Sequence, residues 1–315
     1  MRILITGGSG YVGSTLIPRL LKKNHQIINV DTQWFGHYLK NHSRLKNYKI
    51  DYAHIDKVKE KKIDVVIHLA SISNDPMAEI DKNLSWETSA LNTYRLMEFM
   101  KKRKIKKIIY ASSGSVYGIK KEKKVTEKSK LEPISLYNKV KMVTERVILS
   151  YEKEIIPFII RPSTVCGFSP RMRLDLTVNI LTFSALKNNI INVFGGKQIR
   201  PNIHIIDMCR IYEFFLNKNK KYSGIYNAGY ENKSIIEIAR SVKKITKSQI
   251  KIIKDKNDPR SYRLNSDKIQ KIGFKYSKNY IDAIYELCEE YKNKKLYNRK
   301  NNFSLKWLKK ILKKT

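Results

Sequence analysis

The stretch TGGSGYVGSTLIPRLLKK, Thr6 to Lys23, follows directly on the apolar run RILIT and decides the fold. It carries Gly7, Gly10 and Gly13, and from Gly8 it also satisfies Gly-x-Gly-x-x-Gly. Glycines at a strand-to-helix turn permit a tight bend. They also let the backbone of Gly7, Gly8, Gly10, Tyr11, Val12 and Gly13 approach a pyrophosphate, whose charge rests on the N-terminus of the following helix. Beyond Gly13, the apolar spacing predicts an amphipathic helix. Asp31 then closes the next apolar run, QIINVD. A carboxylate there accepts hydrogen bonds from both adenosine ribose hydroxyls and meets a 2′-phosphate with like charge, so the expected cofactor is NAD, not NADP.

Outward from this unit, DVVIHLA, IKKIIYASS and IIPFIIRP read as further buried strands with helical patterns between them. Such alternation predicts an α/β fold, a Rossmann doubly wound parallel sheet covered on both faces. From about residue 165 the pattern loosens, and NVFGG and IYNAGY point to a smaller C-terminal substrate-binding lobe. The expected division is 1–165 for the dinucleotide-binding core, to which later segments return, 166–291 mainly for the second lobe, and 292–315 for a basic amphipathic tail. In that tail, Phe303, Trp307, Leu308, Ile311 and Leu312 share a helix face, which is expected to dock on the protein body or a partner subunit in preference to an anionic membrane surface.

At 315 residues the chain can bury a large core. The 64 Lys and Arg against 28 Asp and Glu give +36, but the lysines are spread over the whole sequence and accompany no nucleic-acid motif. A solvated basic surface is therefore expected, with no specific nucleic-acid partner. Cys166, Cys209 and Cys288 lie far apart without metal-ligand spacing and read as free thiols. No run approaches the roughly 18 apolar residues that span a bilayer and RILIT does not read as a signal peptide, so a cytoplasmic protein without a transmembrane segment is expected.

Two short motifs carry the chemistry. YASSGSVYG puts Ser112 and Ser113 at the C-terminal end of a sheet strand, where open α/β sheets bind ligands. YNKVK sets Tyr137 and Lys141 at i and i+4 on one helix face. If that face lies over the nicotinamide, the ammonium and the positive ring both favour phenolate and lower the Tyr137 pKa. A tyrosine so tuned accepts a proton from a sugar hydroxyl, while Ser113 holds the same oxygen. His68, inside a buried strand, is expected to be a satisfied core residue, and His204 and Asp207 are expected to brace the second lobe.

TGGSGYVG, HLASISNDP, YASSGSVYG, YNKVK, RPSTVCG, GGKQIRPNIHIIDM and YNAGYEN occur in one order along nearly the whole chain. In this the sequence resembles the extended short-chain dehydrogenase/reductase family of NAD-dependent nucleotide-sugar epimerases, dehydratases and oxidoreductases. GFSPRMRLDLTVN is similar to a bacterial surface-polysaccharide subgroup. The resemblance implies a nucleotide-diphosphate sugar as substrate, a homodimer, and Ser113, Tyr137 and Lys141 as the catalytic set. It also implies that Asp51 and Tyr52 contact adenine, that Leu69, Ala70 and Ser71 pass the adenosine ribose and pyrophosphate, and that Pro162, Ser163 and Thr164 run beside the nicotinamide. Asn179, Arg200, Arg260 and Arg263 fall where the nucleotide diphosphate of the substrate would lie.

Gly114 and Ser115 stand where members that dehydrate 4-keto sugars carry Asp and Glu, so elimination lacks its usual acid and base. A second departure puts Ser89 and Asn92 in the family's Asn-x-x-Gly-Thr. The expected activity is epimerisation through a keto sugar, most simply at C4. Net oxidation or reduction at C4 remains the alternative, ahead of a 4,6-dehydratase or of a non-catalytic NAD-sensing or nucleic-acid-binding protein. No Arg or Lys occurs between Asp31 and Lys40 to pair with a 2′-phosphate. NAD should bind at least about tenfold more tightly than NADP, and Asp31→Ala should narrow the gap, in calorimetric titrations of the cofactor-stripped protein.

Overall fold

The computed structural model describes residues 1–253 and 261–313. Arg260 lies outside them. The first six strands are β1 (Arg2–Thr6), β2 (Gln26–Val30), β3 (Leu45–Tyr48), β4 (Val65–His68), β5 (Lys107–Ala111) and β6 (Ile156–Pro162). Then come β7 (Thr164–Cys166), β8 (Ile190–Phe194), β9 (Ile199–His204), β10 (Gly224–Ala228), β11 (Glu231–Ser234) and β12 (Gln249–Ile253). Seven of them form an all-parallel sheet in the order β10-β6-β5-β4-β1-β2-β3. Its central strands are buried along their middles, β4 throughout and β1 and β5 except at half-buried ends, which is why they read as apolar runs.

Strand β10 corrects one expectation. The IYNAGY segment does not belong to a sheet of the second lobe: Gly224–Ala228 pairs in register with Phe158–Pro162 as an edge strand of the main sheet. Only β11, β9 and β7 make a separate three-stranded sheet, and β12 and β8 a two-stranded one.

From β1 the chain builds first to one side, through β2 and β3, and then to the other, through β4, β5 and β6. A crevice opens beyond the strand ends at this reversal, between β1 and β4. A Cβ on Gly7, whose φ is +74°, would lie 2.6 Å from the Ala70 nitrogen beyond β4. Only glycine lets the two strand ends approach so closely.

Helix α1 (Gly13–Lys22) buries Leu16, Ile17, Leu20 and Leu21 against the sheet. Between β4 and β6 lie α2 (Asp75–Ala78), α3 (Lys82–Trp86), α4 (Asn92–Lys102) and α5 (Leu136–Leu149). Ser135 caps α5 by accepting from Asn138 N at 3.2 Å. Later helices are α6 (Thr177–Asn188), α7 (Ile205–Leu216), α8 (Ile235–Thr246), α9 (Asp267–Lys271), α10 (Tyr280–Lys292) and α11 (Ser304–Leu312). His204 caps α7 through its ring, and Asp207 accepts from the backbone of Ser277 and Lys278, so both are structural braces. His68 is fully buried between Thr6 Oγ1 (2.6 Å) and Thr93 Oγ1 (2.9 Å), and burial pushes it down to about 3, hence neutral. Among the described residues no helix is long and apolar enough to cross a membrane.

The amphipathic tail packs on the protein body. Leu308 is 1% exposed, in one cluster with Ile72, Met77 and Ala78, and Trp307 Nε1 donates to Trp34 O at 2.6 Å. Leu308→Ala should lower the unfolding free energy by about 2–5 kcal/mol in urea titration, the usual cost of emptying such a site.

Candidate active site

A cavity of about 560 Å³ runs from the glycine turn, across the strand ends, to the second lobe. Gly7, Gly10, Tyr11, Val12, Gly13 and Asp31 line one end. A Cβ on Gly10 would meet only one neighbouring atom, Gly7 O at 3.1 Å, so a side chain there would project into open space that backbone alone now borders. Asp31 is fixed by accepting from Ser9 N (2.9 Å) and Gln33 N (2.6 Å), and burial raises its pKa in spite of those bonds. Gly8 does not line the cavity. A Cβ there would strike Asn29 Oδ1 at 2.2 Å, so glycine is required at this position for the packing of the turn.

Asp51, Tyr52, Leu69, Ala70 and Ser71 form the next stretch of wall, and Pro162, Ser163 and Thr164 the floor beyond it. Tyr52 is held by its hydroxyl, which donates to Thr88 O. Asp51 caps a short 3-10 turn through Ala53 N at 2.8 Å.

Ser112, Ser113, Tyr137 and Lys141 come together at the end of β5. Ser113 Oγ lies 2.7 Å from Ser115 Oγ, which donates to Asn138 Oδ1 at 2.5 Å. Lys141 is buried, donates to Ala111 O at 2.7 Å, and stands 5.9 Å from the Tyr137 ring centre. Behind them Ser112 donates to Glu145, and Glu145 is gripped by Arg161 through Nε (2.9 Å) and Nη2 (2.6 Å).

The expected lowering of the Tyr137 pKa is not what this arrangement produces. Loss of solvent pushes the phenol up to about 12, outweighing the hydrogen bond with Ser113 that lowers it, while Asp75 raises it and Arg173 lowers it. Burial likewise pushes Lys141 down to about 7, with Glu145 opposing. Two neighbouring groups, the partly buried Tyr137 and the buried Lys141, thus both favour their neutral forms.

The second lobe contributes Arg171, Arg173 and Asp175, none of them among the site residues expected from the sequence. GFSPRMRLDLTVN lies over α1: Tyr11 OH donates to Gly167 O (2.7 Å), Ser169 Oγ to Tyr11 O (2.7 Å) and Arg171 N to Ser14 Oγ (3.2 Å). Arg171, Arg173 and Asp175 line the cavity, Arg173 forking onto Asp175 at 3.0 and 3.2 Å. Asp175 also accepts from Asn74 at 3.3 Å, and the neighbouring Asp75 accepts from Ser135. Burial pushes the Arg171 guanidinium down to about 9, Arg173 adding to the effect while Asp175, Tyr38 and Asp31 oppose it.

Of the residues expected at a substrate diphosphate, Arg200 lines the cavity. Asn179 does not. It is fully buried, its amide spent on Gly167 N (3.0 Å), Tyr11 OH (3.1 Å) and Arg173 O (2.9 Å). Arg263 is also turned away: its neighbour Tyr262 faces the cavity, so alternation along this extended segment leaves Arg263 exposed.

These features define a dinucleotide-binding α/β enzyme with a Ser-Tyr-Lys set beside the cofactor cleft. The model of the NAD dependent epimerase/dehydratase family matches residues 3–229, and the chain belongs to that family, of the extended short-chain dehydrogenase/reductase type. Its cofactor is NAD. It is 26% identical over 269 residues to a UDP-glucose 4-epimerase of Lactobacillus helveticus, covering 77% of this chain and 82% of the relative. A dTDP-D-glucose 4,6-dehydratase of Dictyostelium discoideum is 28% identical, covering 94% and 82%. The solved UDP-glucuronic acid 4-epimerase of Bacillus cereus, in complex with UDP-glucuronic acid and NAD, superposes with TM-score 0.80 at 25% identity over 93% of this chain and 99% of that one.

The depressed Lys141 fixes the sign of one pH effect. Below about pH 7 the ammonium is buried at full cost, and that cost is relieved as pH rises from about 7 toward the ordinary lysine value of 10.5. Stability of the cofactor-free protein should therefore gain with pH across this window relative to Lys141→Met, in which the contribution is absent; parallel urea-denaturation curves at pH 6.5, 8 and 9.5 measure the difference.

Proposed function

We propose that this enzyme is a nucleotide-sugar 4-epimerase that works through a keto-sugar intermediate and supplies sugars for surface polysaccharide. The observation that carries the reading is the convergence of Ser113, Tyr137 and Lys141 in one cavity with the glycine turn, while Gly114 and Ser115 offer no acid or base for elimination. A Cβ on Gly114 would already lie 3.0 Å from Pro162 O. Asp75 and Asp175 do reach the cavity, but they are engaged with Ser135 and with Arg173 and Asn74.

Bound NAD supplies the electron-pair acceptor and, when oxidised, a positive charge. Ser113 orients the substrate hydroxyl oxygen, and Tyr137 takes its proton. With burial holding the phenol high, Lys141 must carry charge to bring it down, and its own depressed pKa places that charge close to neutrality. The second lobe, through Arg200 and Tyr262, offers the surface against which the nucleotide diphosphate is held while the keto sugar turns and is reduced on its other face.

Tyr137→Phe should lower turnover by about 10² or more. Mass spectrometry of products from a panel of nucleotide sugars separates the readings: unchanged mass with altered retention supports epimerisation. Loss of two hydrogens would make the enzyme a net oxidase, and loss of water would make it a dehydratase.

A further inference from the structure

Arg171 is 4% exposed, lines the cavity and makes no ion pair among the described residues. Its guanidinium donates to Met172 O at 3.3 Å and to Ser304 Oγ at 3.0 Å, and lies 4.3 Å from the centre of the Phe35 ring. Its Nε is buried with no acceptor at all. The nearby acids are committed elsewhere, Asp31 to the backbone of Ser9 and Gln33, and Asp175 to Arg173 and Asn74. A buried guanidinium with an idle donor and no counter-ion is costly unless an anion completes it.

Its location says which anion. The Arg171 backbone is bonded to Ser14 in the first turn of α1, the helix whose N-terminus follows the glycine turn, and its side chain is close enough to Asp31 for each charge to shift the other. It therefore stands between the end of the cleft where a ribose would meet Asp31 and the turn where a pyrophosphate would meet Gly10. We propose that Arg171 binds the pyrophosphate of the dinucleotide, so that a residue of the second lobe, steadied by Ser304 of α11, closes over a cofactor seated in the first. An Arg fork pairs with phosphate oxygens through Nε and Nη together, and the open Nε is the donor such a pair requires.

The same cavity is proposed to take a substrate that also carries a pyrophosphate, and the test separates the two. Calorimetry of the cofactor-stripped protein should show ADP and NAD binding at least about tenfold more weakly to Arg171→Met than to the unaltered chain, with adenosine unchanged. UDP should bind NAD-saturated protein equally well with and without the substitution. Unchanged ADP affinity, or an equal loss for adenosine, would overturn the assignment, and a loss confined to UDP would transfer Arg171 to the substrate. Should Arg171→Met fail to fold, Arg171→Gln, which keeps donors for Ser304 and Met172 without the charge, is held to the same outcomes.

Discussion

Arg161 and Glu145 meet inside the protein through two parallel hydrogen bonds, with side chains only 3% and 2% exposed. Leaving either charge alone in such a place costs about 3–5 kcal/mol, so β6 and α5 are held together as one piece. Ser112 at the end of β5 donates to the same carboxylate, and Tyr117 accepts from the same guanidinium at 2.8 Å. Tyr137, Lys141 and Glu145 recur every four residues along α5, so anchoring Glu145 sets the azimuth of the helix and aims the other two at the strand ends. A polar pair buried behind the site thus fixes groups that it never touches.

Rigidity at that point contrasts with the electrostatic state in front of it. Partial loss of solvent at Tyr137 and Lys141, on the wall of the cavity, favours two neutral groups. Proton transfer needs the opposite, a phenolate beside an ammonium. The protein holds the geometry ready, and added positive charge shifts the titration.

Much of the first lobe was legible in the amino-acid sequence because parallel strands buried on both faces leave continuous apolar runs, and the glycine turn and Tyr137-Lys141 spacing are local patterns. IYNAGY was misplaced because an edge strand joining β6 has the same composition as a strand of a small separate sheet. Asn179 was taken for a ligand because a polar residue in a motif reads the same whether it faces a cavity or, as here, Tyr11 and Gly167. Arg171 stayed hidden among 64 basic residues, since what sets it apart is burial without a partner, which no spacing reveals. The rise of the Tyr137 pKa without cofactor could not be read from the sequence, which shows which charges are near and does not show how much water has been removed.

Helix α11 forms part of the outer wall of the cleft, with Leu305 facing the cavity and Trp307 reaching Trp34 across 273 residues of chain. Such a contact carries a large loop-closure entropy and is formed only after nearly everything between has been made. In a chain that emerges from the ribosome N-terminus first, the glycine turn is present early but its cleft stays open on one side until α11 arrives. Cofactor capture and the arrival of α11 are thereby coupled in time, and a nascent protein that still lacks α11 exposes Trp34 and Phe35 as unpaired apolar surface of the kind that chaperones bind.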